Sequence, residues 1–183
     1  VILVAGPPCG GKTTYVRATA ATTDVVLDYD DIVEGLGYPR YEAPHWVKAK
    51  AATIWHQSLP TADWVIWTAP RRSDRGRFRA QYGAETVLVL ASLEECLARA
   101  RAERPAGWES AIREWFALYQ PSRSTPESVV ITGSHQADLV IRWDRLRPPR
   151  GPHELQEWER QETGPLTCDN ATGGVTNFTS RAD

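Results

Sequence analysis

The chain has 183 residues, of which 42% are hydrophobic and 24% charged; this fits one compact core with an appendage and excludes two full domains or global disorder. A net charge of −2 and a pI near 6.1 exclude a protein that coats nucleic acid through its overall charge, so any such contact has to be local. Cys9, Cys96 and Cys168 lie far apart without a C-x-x-C pair, and no apolar run approaches the roughly 20 residues that span a bilayer, so neither a disulfide framework, a zinc site nor a membrane span is indicated. The expectation is a soluble, cytoplasmic protein. Asn170 and Asn177 match the glycosylation pattern, but without a secretory signal they read as chance in a polar tail. The chain contains no Met and begins directly on a strand pattern, so further residues are expected ahead of Val1.

Residues 1–5 form a short apolar run into Gly-Pro-Pro, the pattern of a buried parallel strand. A helix is predicted over 12–21, then a second strand over 25–27 that ends on Asp28, Asp30 and Asp31. A short helix over 32–36 is closed by Gly37; a loop over 38–44 precedes a longer helix over 45–59, and residues 64–67 form a third strand. Ser73 is the predicted N-cap of a segment that runs to Tyr82 and stops at Gly83, before a fourth strand over 86–90. Ser92 and Glu95 have the spacing of a capping box for a helix to about Glu103; Arg104-Pro105-Ala106-Gly107 breaks it, and helical spacing resumes over 108–119.

Strands alternating with helices predict an α/β fold whose parallel sheet is covered on both faces, a three-layer P-loop architecture with a helical lid at about 99–108. The domain is expected over 1–120. Residues 121–147 are read as C-terminal strands (129–132 and 139–143) or an extension of the core, and 148–183 as a linker, a short helix (153–161) and a loose tail.

Gly6-Pro7-Pro8-Cys9-Gly10-Gly11-Lys12-Thr13 matches G-x-x-x-x-G-K-[ST] between a predicted strand and a predicted helix, with Thr14 following. Glycines let backbone N–H groups turn inward around phosphates, and the next helix presents its positive end to them. Lys12 supplies a point charge for the β- and γ-phosphates and Thr13 a hydroxyl for Mg²⁺, so ATP with Mg²⁺ is the expected ligand. The third strand ends in Trp67-Thr68-Ala69, without the metal-holding carboxylate of motors and GTPases; the second strand ends in carboxylates instead, where an acceptor-activating base would sit. This favours a kinase.

Asp28, Asp30 and Asp31 fit a general base with its support, or the N-cap of the following helix. If strand alternation continues, Asp28 and Asp30 share a direction and Asp31 opens the helix; Asp30 is then the base and, together with Thr13, a metal contact, and Asp28 a secondary acid near the acceptor. Arg99, Arg101 and Arg104 precede the Pro105 break, where a hairpin could close on phosphates; a solvated helix face paired with Glu94, Glu95 and Glu103 is the other reading. Arg104, nearest the break, is the first choice. Arg71 and Arg72 open a basic run that continues through Arg75, Arg77 and Arg79, either a contact for acceptor phosphates or a charged helix face. Tyr38, Tyr41, His45 and Trp46 can stack on a base or pack in a core.

These residues resemble the kinase domain of phage-type polynucleotide 5′-hydroxyl kinases and, more loosely, gluconate kinases and zeta toxins, over about residues 1–120. The carriers are the segment from Val4 through the P-loop to Arg17, then Asp28-Tyr29-Asp30-Asp31-Ile32, then the stretch from Leu97 to Pro105 and the helix after it. The resemblance implies that Asp30 is the general base and that the lid arginines lie among Arg99, Arg101 and Arg104. The family often places an Arg three residues after its base to hold an acceptor 3′-phosphate; Val33 stands there. The expected acceptor is a nucleic acid or nucleotide, with a hydroxymethylated DNA base or a small metabolite as alternatives. An ATPase acting as a switch or assembly factor, or a nucleotide-binding module without chemistry, are the readings from other classes.

Overall fold

The computed structural model describes residues 1–105, 107–122 and 127–133. Five parallel strands, β1 (Ile2–Ala5), β2 (Val26–Asp28), β3 (Trp64–Trp67), β4 (Glu85–Leu90) and β5 (Ser128–Ile131), form one sheet in the order β2-β3-β1-β4-β5. The register Leu3 with Val65 and Thr86 aligns the ends of the three central strands. β1 lies at the centre, its own crossover running toward β2 while β4 runs out to β5. Reversal of strand order beside a strand's carboxyl end is where open α/β sheets hold ligands, and the glycine-rich loop leaves β1 there.

Alternation of side chains along the strands divides the core into two layers. On one face Val4, Trp64, Ile66, Val87 and Val89 pack against Val16 of α1 (Lys12–Thr19). On the other, Leu3, Val65, Leu88 and Leu90 meet Trp55 of α3 (His45–Ser58), Phe78 of α4 (Arg72–Tyr82) and Trp115 of α6 (Trp108–Leu118). The fold is thus the expected three-layer α/β arrangement. β5 joins the same sheet as an edge strand beside β4, with Ser128 and Val129 exposed and Val130 packed on the core layer of α1. The strand expected at 139–143, the linker at 148–152, the helix at 153–161 and the tail lie outside the described residues.

Two helix starts differ from the sequence reading. α2 spans Tyr29–Gly35 and its cap is Asp28, whose carboxylate accepts from the Asp30 N–H, so Asp31 does not open it. Strand alternation ends at Asp28 because that side chain satisfies an orphan amide of the first turn, drawing the helix start toward the sheet. α4 begins at Arg72 with Arg71 at the cap position and no side-chain cap, so Ser73 lies inside the helix. Its C-terminal stop is as expected, with Gly83 in the left-handed region at φ 61°. α5 (Leu93–Glu103) starts with the full capping box of Ser92 and Glu95.

Candidate active site

The loop from Gly6 to Gly11 is drawn against its own sheet. A Cβ on Gly6 would overlap the Val89 carbonyl oxygen of β4, so only glycine lets the backbone turn there. Lys12 opens α1, and its buried ammonium donates to the carbonyls of Gly6 at 3.0 Å and Pro7 at 2.8 Å. Burial depresses its pKa to about 8, against the opposing pull of Asp28. Cys9 holds φ 59°, a left-handed conformation uncommon outside glycine, and its carbonyl accepts from Arg99 Nη1 at 3.0 Å. Thr132, just past β5, donates through Oγ1 to the Gly10 carbonyl at 2.8 Å. The loop is therefore held by a lysine from within, an arginine from α5 and a threonine beyond β5. Pro8 is half-buried and Thr14 exposed.

Thr13 donates through Oγ1 to Asp28 Oδ2 at 3.3 Å. The other oxygen of the same carboxylate takes the Asp30 N–H at 3.1 Å. It is Asp28, rather than Asp30, that meets the threonine of the loop. Burial raises the pKa of Asp28, and burial followed by the adjacent Asp28 raises that of Asp30 to about 6. Arg40 and Arg104 pull Asp30 the other way. Asp31 is exposed and paired with Arg40 at 2.6 Å.

The three arginines expected in a lid separate in the structure. Arg99 reaches the glycine-rich loop. Arg101 is 62% exposed and paired with Glu109 of α6 at 2.9 Å, an ion pair on the solvent side of the hairpin. The guanidinium carbon of Arg104 lies 4.7 Å from the centre of the Tyr41 ring and 5.5 Å from that of Trp108. Of the arginines after β3, Arg71 is exposed and Arg72 buried. Arg75 is structural: it bonds the carbonyls of Ala69, Pro70 and Gln120 and, at 2.9 Å, the carboxylate of Glu127. Val33 is buried between α2 and α3. Tyr38 stands edge-on to Trp46 at 5.6 Å, and Trp46 is 60% exposed.

Sequence reasoning missed Arg40, Thr132 and Trp108. Arg40 lies in a loop without periodicity and Thr132 is 122 positions from its partner Gly10, so only the fold brings them in. Trp108 was legible only as the start of a helix.

No family model matches the chain, and no curated protein does. Among solved structures, a candidate kinase from Chloroflexus aurantiacus j-10-fl is 19% identical over 85% of this chain and 95% of its own, with a TM-score of 0.46. An unliganded sugar kinase from Janibacter sp. HTCC2649 is 17% identical over 80% of this chain and 95% of its own, with a TM-score of 0.49. Both are distant likenesses of backbone, and the chemistry of the site rests on its residues.

Proposed function

We propose that the chain is an ATP-dependent phosphotransferase that moves the γ-phosphate to a hydroxyl, with a nucleic acid or nucleotide as the acceptor. The observation that carries this reading is the contact between the glycine-rich loop and the acid cluster, Thr13 to Asp28 at 3.3 Å with Asp30 one cap hydrogen bond away. A phosphate-binding loop and a carboxylate held near neutrality are the donor and acceptor halves of in-line phosphoryl transfer.

In this reading Gly6 to Thr14 surround the phosphates and Lys12 exchanges its two carbonyl partners for phosphate oxygens. One hydroxyl and one carboxylate, Thr13 and Asp28, fit Mg²⁺, a cation that takes few protein ligands and keeps its waters. When bound, the cation would neutralise charge on the β- and γ-phosphates. Asp30 takes the acceptor's proton, and Arg99 and Arg104 offer planar donors to phosphate oxygens. Asp28 thereby moves from a secondary acid near the acceptor to the metal side. Trp46, exposed in the first turn of α3 with the half-buried Tyr38 edge-on to it, supports an acceptor that carries a base able to stack.

Incubation with γ-labelled ATP and a panel of 5′-hydroxyl DNA, 5′-hydroxyl RNA, hydroxymethylated-base DNA, nucleosides and sugars tests the reading. Label is expected in a nucleic acid or nucleoside. Label in sugars alone would overturn the acceptor class, and release of free phosphate without a labelled acceptor would make the chain an ATPase.

A further inference from the structure

The helical hairpin α5–α6 is fastened to the segment between α2 and α3 by an arginine on aromatic rings. Pro105 cannot continue α5, and the residue before a proline is pushed to extended backbone; Arg104 accordingly leaves the helix at φ −123° and ψ 153°. Its guanidinium lies within cation–π range of both Tyr41 and Trp108. The two rings meet edge to face, with centroids 4.9 Å apart. Tyr41 is itself anchored through its neighbour Arg40, which binds Asp31 at 2.6 Å and Glu34 at 2.7 Å. A continuous path of contacts therefore runs from α2, at the residue after Asp30, through Arg40 and Tyr41 to Arg104 and Trp108. The Tyr41 hydroxyl and Arg104 Nε are buried and make no hydrogen bond among the described residues, so the ring faces carry this junction.

We propose that Tyr41 and Trp108 are positioning residues, a clamp that docks the α5–α6 hairpin on the 36–44 segment and holds Arg104 beside the acid cluster. The task given to Arg104 rests on the phosphotransferase reading; the docking does not. The clamp uses the Tyr41 ring and not its hydroxyl, so phenylalanine replaces it and alanine does not.

Hydrogen–deuterium exchange and transfer kinetics test this together. In Tyr41→Ala, amides of residues 99–108 should exchange about tenfold faster while α1 keeps its protection, and Tyr41→Phe should match the wild type. Transfer by Tyr41→Ala should lose about 10–100-fold in kcat with KM for ATP within about twofold, and adding Tyr41→Ala to Arg104→Ala should cost nothing further. Unchanged exchange in Tyr41→Ala overturns the docking, and full additivity with Arg104→Ala overturns the positioning role. If Tyr41→Ala fails to fold, Arg104→Ala carries the exchange test: faster exchange confined to the hairpin supports the clamp, and none overturns it. A wild type that labels no acceptor but shows the exchange pattern sinks the phosphotransferase reading and leaves the clamp standing.

Discussion

Thr13 and Asp28 are joined by a 3.3 Å hydrogen bond between the helix that follows the glycine-rich loop and the end of β2. Asp28 serves two partners with two oxygens, capping α2 with one and facing the loop hydroxyl with the other. Asp28→Asn keeps an oxygen for the cap and removes the charge. Its stability should stay within about 0.5 kcal/mol of the wild type, while half-saturation by Mg²⁺ in the transfer assay rises about tenfold or more. Asp28→Ala should lose the cap as well, costing about 1 kcal/mol in chemical denaturation. Identical Mg²⁺ dependence in Asp28→Asn and the wild type would reduce the carboxylate to a cap.

Asp30 is held at a pKa of about 6, by burial first and then by the charge of Asp28. A base works only when deprotonated, so transfer should fall as pH drops through about 6, approaching tenfold per unit below it. Asp28→Asn removes one negative neighbour and should move that limb to lower pH. Asp30→Asn should lose at least about 100-fold in kcat and still bind ATP, as read by calorimetry. An acid limb at the ordinary carboxylate range in the wild type would contradict the assignment.

Arg75 lies in the basic run that the sequence offered to an acceptor, yet its side chain is 0% exposed and its partner Glu127 only 6%. It pins the backbone just after β3, where Ala69 holds φ 27°, to the segments before β5. Arg75→Ala should destabilise the protein by about 3–5 kcal/mol, because Glu127 is left buried and unpaired. Denaturant titration measures it; a change under about 1 kcal/mol would mean that the pair is not buried in solution.

Gly6→Ala should not give a folded nucleotide-binding protein, since the added methyl meets the Val89 carbonyl rather than a side chain that can move. Soluble expression with wild-type ATP affinity would show that β4 and the loop can separate.

The fold was legible where periodicity and local chemistry agree. β1, β3 and β4, the Ser92–Glu95 box and the Gly83 stop each follow from a few adjacent residues. The start of α2 was less so, because alternation and capping compete for Asp28 and the sequence does not say which prevails. The glycine-rich loop could be read from its spacing alone. The division of labour among Arg99, Arg101 and Arg104 could not, because α5 and the extended residue at its end turn these arginines to a loop carbonyl, a solvent-side glutamate and two aromatic rings, and the partners come from other segments.

Lys12, folded onto the carbonyls of Gly6 and Pro7, has a consequence for the energetics of ligand capture. With its pKa near 8, the Lys12 side chain is partly neutral at that pH, whereas a triphosphate beside the ammonium would restore its full charge. Binding then draws a proton from the medium. Calorimetry near pH 8 in buffers of different ionisation enthalpy should give heats that differ in proportion, and the proton uptake owed to the lysine should fall away toward about pH 6.5, where it is already charged. The phosphate loop would thus operate as a proton-coupled receptor, with an apparent affinity that weakens as the medium becomes alkaline.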